Sequence, residues 1–186
     1  MTNLPFSSPP LIKAISFTLP ASSNYSLDNV VLALRDFTST SATPIVQIRD
    51  DVGTLDPGST VLASFINPSP QGTGDFNYTF TPASSFTFTA GTKYWLYVTA
   101  TAGTNLTWRA SSPSITPTGI PGIAINNVRL STSGSPFSNS SAINTFQINA
   151  TEIVPPPVGV PEPGTVVALS LFGLGLLGVK GRRNEG

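Results

Sequence analysis

The chain has 186 residues, of which nine are basic and nine acidic; at 10% charged it falls well below the roughly 25% of ordinary soluble domains, so solubility rests on Ser, Thr and Asn. Cysteine and histidine are both absent, which excludes disulfide scaffolds, thiol chemistry, most transition-metal sites and Ser/His/Asp hydrolysis within this chain. Ahead of Pro161, six cations face seven acids, and no basic face exists to attract nucleic acid.

Residues Met1 to Pro10 have neither the basic start nor the apolar run of a secretory signal peptide. For an exported chain the expectation is therefore a start upstream of Met1, with a first strand of the domain there too. From residue 30 onward, short runs alternate with a period of two: Val30, Leu32 and Leu34; Val46 and Ile48; Phe76, Tyr78 and Phe80; Phe86 and Phe88; Tyr94, Leu96 and Val98; Ile123 and Ile125; Phe146 and Ile148. Alternation of β-branched and aromatic residues predicts strands, because successive side chains of a strand point to opposite faces. Turn residues separate them at Asp51-Val-Gly53, Asp56-Pro57-Gly58, Gln71 to Gly74, Ala102-Gly103 and Pro121-Gly122. About nine strands over residues 1–150 predict an all-β domain, an antiparallel β-sandwich of jelly-roll or immunoglobulin-like topology. Residues 111–120 and 131–141 read as longer loops.

Three kinds of candidate site lie on this frame. Asp50, Asp51 and Asp56 form an oxygen-rich stretch of the sort that can hold Ca²⁺, although Asp before Val-Gly or Pro-Gly is also ordinary turn chemistry; no other metal and no cofactor is expected. Trp95, Tyr97 and Trp108 are the candidates for stacking on sugar rings, with Tyr94 turned to the opposite face from Trp95 and therefore outside such a patch. Asp50 and Asp75 are the pair that a carboxylate hydrolase would need, but the seven acids are spread over turns without evident partners. Asn-x-Ser/Thr triplets begin at Asn24, Asn77, Asn105, Asn139 and Asn149, as chance provides in a chain this rich in Asn, Ser and Thr.

The end of the chain changes character. Residues 151–160, TEIVPPPVGV, form a proline-rich spacer that favours extended polyproline II. After Pro161-Glu162-Pro163 comes the uncharged run 165–179, TVVALSLFGLGLLGV, and then Lys180, Arg182 and Arg183. As a helix the run is about 22 Å long, short of the roughly 30 Å hydrocarbon core, so length alone leaves a buried core helix open. The flanks favour a single transmembrane helix over 165–179: the cations can snorkel to headgroups while the prolines stop the helix at its other end. The positive-inside rule then puts the C-terminus in the cytoplasm and everything before Pro161 outside.

Val160-Pro161-Glu162-Pro163, the apolar run and Arg182-Arg183 together resemble the PEP-CTERM sorting signal of Gram-negative bacteria. That resemblance implies an exported protein whose segment 161–183 is recognised near Pro161-Glu162-Pro163 by an exosortase, after transient anchoring in membrane lipid, for delivery to the cell surface or extracellular polymer. A second resemblance covers residues 14–110. Tyr25-Ser-Leu27-Asp28, Pro44 to Ile48, Gly91-Thr-Lys-Tyr94-Trp95 and Trp108 are similar to the choice-of-anchor R type of bacterial surface domain, which implies a β-sandwich with a surface role and no catalytic residue. The expectation is a non-enzymatic surface or extracellular-matrix protein; its rival is a carbohydrate-binding module that uses exposed aromatics against extracellular polysaccharide.

Overall fold

In a computed structural model of the chain the described residues are 4–5, 10–40, 43–101, 106–110, 118–132 and 135–154, all within the first of two units of the chain, Met1–Val154. The spacer beyond Val154, the sorting residues Val160 to Pro163, the helix predicted over 165–179, the basic residues Lys180, Arg182 and Arg183, and the Ala102-Gly103 turn lie outside the described residues. Among those described there is no helix; the elements are strands β1 (Leu4–Pro5), β2 (Leu11–Thr18), β3 (Asn24–Phe37), β4 (Pro44–Asp51), β5 (Pro57–Ile66), β6 (Gly72–Pro82), β7 (Thr87–Phe88), β8 (Lys93–Ala100), β9 (Thr107–Trp108), β10 (Ala124–Thr132), β11 (Ser138–Asn139) and β12 (Phe146–Ile153).

All pairings are antiparallel, and hydrogen bonds link the strands in the order β1-β9-β3-β6-β5-β4-β8-β2-β10-β11, with β7 and β12 also paired to β3. The long strand β3 organises one group: β12 lies along one edge through Phe146↔Leu32 to Ile153↔Asn24, and β6 along the other through Val30↔Phe80 to Phe37↔Gly72. In the second group β8 is central, pairing with β2 and β4. Among the described residues, backbone pairing joins the groups where Phe65 and Ile66 of β5 pair with Pro82 and Thr81 of β6. At the bulge between Arg35 and Phe37, Asp36 takes a φ of 60°, a left-handed conformation that Asp tolerates better than most side chains.

One core draws on both groups. Ile15 and Phe17 of β2, Ile48 of β4 and Leu96 and Val98 of β8 are buried in the same cluster as Val30, Leu32 and Leu34 of β3, Tyr78 and Phe80 of β6 and Trp108 of β9. Each aliphatic side chain so buried is worth about 1.5–3 kcal/mol. At one end Phe17, Phe86, Phe88 and Tyr94 pack with ring centroids 5.1 to 6.1 Å apart, mostly edge to face, an arrangement that adds about 0.5–1.5 kcal/mol per pair.

All the alternating runs lie on strands except Phe86, which precedes β7 and packs from the loop, and Ile123, which immediately precedes β10. Two long strands show no clean alternation in the sequence. In β2, Lys13 occupies a core-facing position between Leu11 and Ile15 and breaks the apolar series; in β5, PGSTVLASFI, the apolar residues come in adjacent pairs, Val61-Leu62 and Phe65-Ile66, and the strand is mostly exposed, so nothing marks an inner face. Residues 131–141, read as a loop, contain the end of β10 and the short strand β11.

Candidate functional site

The predicted aromatic platform is not presented to solvent. Trp95 and Trp108 have no exposed surface and Tyr97 only 8%. The expected alternation along β8 does occur: Tyr94, Leu96 and Val98 enter the main core, whereas Trp95 and Tyr97 point to the other face and pack with Ala14, Ile12 and Phe137. That outer face is buried as well, because the segment around β11 brings Phe137 over it and charged side chains cover the rings. The Arg49 guanidinium lies 3.5 Å from the Tyr97 ring centre and the Lys93 ammonium 5.1 Å from that of Trp95, distances at which a cation is drawn to the ring quadrupole. Trp108 lies in the main core and donates its indole N–H to the Thr145 carbonyl at 2.9 Å. None of these rings offers a free face to a sugar.

The three clustered aspartates go to three different partners. Asp51 accepts from Lys93 at 2.8 Å, from Trp95 Nε1 at 2.9 Å and from the Gly53 amide at 3.2 Å. Burial pushes its carboxyl up, and these donors more than offset that and hold it below its ordinary range. Asp56 takes both Nε and an Nη of Arg129 at 2.7 Å, and Arg129 also reaches the Phe137 carbonyl and Asn139. Asp50 accepts from the Thr60 amide at 3.0 Å. Among the described residues no group of three acids converges as a cation site. Asp75, the other half of the hydrolase pair, lies between Arg35 and Arg109 at 3.0 and 3.3 Å. Asp51 and Asp56 thus tie their turn to the outer face of β8 and to Arg129, which holds the cover segment, whereas Asp75 bridges two arginines on the β3–β6 side.

Lys13 has no exposed surface. Its ammonium donates to Ser140 Oγ at 2.5 Å and to the Ala142 carbonyl at 2.6 Å, and burial lowers its pKa to about 8. It ties β2 to the segment that leads into β12.

That segment borders a cleft of about 770 Å³ between β10 and β12. Phe17, Tyr25 and Phe88 line its buried part, Ile123 and Ile125 one wall, and Phe146 and Ile148 the other. Among the described residues β12 pairs only with β3, and β11 reaches β10 only at Arg129 and Leu130. Asn144 also lines the cleft and is 2% exposed; its Nδ2 donates to the Trp108 carbonyl at 2.9 Å, and an Asn144–Ala110 bridge holds the backbone beside β9. The alternation of Ile123, Ile125, Phe146 and Ile148 was legible as strand pattern, but nothing in it says that the strands remain apart. Asn144 carries no sequence signal that separates it from the other asparagines.

Residues 159–184 match the family model of the PEP-CTERM protein-sorting motif, which marks an exported, cell-surface-directed protein sorted by an exosortase. No curated protein and no solved structure matches the chain.

Proposed function

We propose that the protein is a non-enzymatic component of the cell surface or extracellular matrix, with residues 161–183 serving as the substrate through which an exosortase delivers a β-sandwich domain. The observation that carries this reading is the sorting motif at residues 159–184. On this reading the helix over 165–179 anchors the chain in the inner membrane until processing near Glu162. The finer fold assignment, two antiparallel sheets face to face, is supported by the single core to which both strand groups contribute, and it suits the choice-of-anchor R kind of surface domain. The chemistry of the candidate acids supports the same reading: Asp51, Asp56 and Asp75 are engaged by Lys93, Arg129, Arg35 and Arg109 in holding the fold.

The test transfers residues 158–186 to an exported reporter in a host that has an exosortase. The expected result is membrane association followed by processing, with the reporter retained in unprocessed form when Glu162→Ala and Pro163→Ala are introduced together. Identical processing and location with and without the double substitution would sink the sorting assignment.

A further inference from the structure

The chain has one Asp–Pro peptide bond, Asp56–Pro57, placed where β4 turns into β5 with Asp51 paired to Pro57. Such a bond carries its own nucleophile. The carboxylate can close a five-membered ring on its own carbonyl carbon, and the proline nitrogen, part of a tertiary amide, leaves as a secondary amine that takes up a proton readily. Whether the bond reacts depends on how the carboxylate and the carbonyl are held.

In this turn both are held. Arg129, buried and fixed by the Phe137 carbonyl and by Asn139, places both of its bonds to Asp56 on Oδ1, each at 2.7 Å. Among the described residues Oδ2 has no partner. The Asp56 carbonyl oxygen accepts from the Thr54 hydroxyl at 3.1 Å, and that hydroxyl accepts from the Asp56 amide at 3.3 Å. A donor at this position polarises the carbonyl and meets the negative charge that develops on its oxygen when a nucleophile adds. The Asp56 side chain is 43% exposed and Leu55 beside it is exposed as well, so water reaches the bond.

We propose that Asp56–Pro57 is a site of self-cleavage in the folded domain. Asp56 Oδ2 bonds to the Asp56 carbonyl carbon, the bond from that carbon to Pro57 N breaks, and Pro57 N takes a proton from solvent. One water then opens the cyclic anhydride left on Asp56, restoring its side-chain carboxyl and leaving a new α-carboxyl. The carboxylate acts as a covalent nucleophile, Arg129 limits it to one arrangement, and Thr54 stabilises the oxyanion. The cut leaves the strands in place: β4 stays paired to β8 and, through Gln47↔Ser64 and Ile48↔Ala63, to β5. Residues 1–56 are then joined to 57–186 by pairing and packing, without a covalent link. This inference is independent of how the chain is sorted.

The full chain is held at pH 5 and, in parallel, at the same pH in urea above its unfolding transition; samples are then weighed by intact mass spectrometry under denaturing conditions. Two products are expected, one ending at Asp56 and one beginning at Pro57. They should form about tenfold or more faster from the folded chain, since one donor on a developing oxyanion is worth at least that much. Thr54→Val should bring the folded rate down to the unfolded one, Thr54→Ser should keep it, and Asp56→Asn should stop both products. The main comparison uses the unsubstituted chain, so it does not depend on how well any variant folds. Cleavage no faster in the folded chain than in urea, no product ending at Asp56, or an unchanged rate in Thr54→Val overturns the proposal.

Discussion

Lys13 is a buried cation to which no ion pair among the described residues belongs, and its two acceptors are a hydroxyl and a carbonyl. Its folded pKa of about 8 lies below its ordinary 10.5, so between those values the unfolded chain holds the extra proton and stability rises with pH. Below about pH 8 both states are protonated and the cost of burying the charge is constant. Comparison of urea unfolding at pH 7.5 and pH 10 should show the unsubstituted chain gaining on Lys13→Met by on the order of 2–3 kcal/mol; a pH-independent difference would contradict the depressed pKa. Lys13 also shows why a residue can mislead a reader of sequence. A lysine in a strand pattern reads as solvent-facing, yet here the backbone and hydroxyl of 140–142, more than 120 positions away, satisfy its ammonium in the core.

At the scale of the element, the strands with clean alternation were legible, and those whose inner face is broken or absent were not. β5 is held by its neighbours rather than by its own pattern, and close approach matters more there than side-chain type. A Cβ on Gly58 would collide with the Asp50 carboxylate and come within 3.0 Å of the Asp50 carbonyl. Gly58→Ala should therefore expel that carboxylate from the Thr60 amide and lower stability by about 1–3 kcal/mol, readable as a drop in urea midpoint; an unchanged midpoint would mean that the β4–β5 turn yields freely. At Gly53 and Gly122, read as turns, φ is +76° and +88°, the region in which glycine is needed. The aromatic strand β8 marks the limit of periodicity: the pattern places Trp95 opposite Tyr94, but it does not say that β11 and Phe137 then close over Trp95.

For the whole domain, β8 is buried on both faces and paired on both edges, whereas β12, among the described residues, is paired along one edge. Native-state hydrogen exchange should find the amides of Leu96 to Val98 opening only with global unfolding, and those of Gln147 to Thr151 exchanging through smaller openings; equal protection of the two strands would refute that ordering. What the sequence by itself determined is local or compositional: antiparallel strands from period two, several turns from glycine and aspartate, the chemistry closed off by the lack of Cys and His, and a sorting motif whose signal is contiguous in the chain. Only the tertiary structure decided which acids meet which cations, that Trp95, Tyr97 and Trp108 are covered, that Lys13 is interior, and that Asn144 is buried with its amide on the Trp108 carbonyl. The physical reason is that burial and hydrogen bonding depend on partners distant in sequence, and neither spacing nor composition specifies which strands become neighbours.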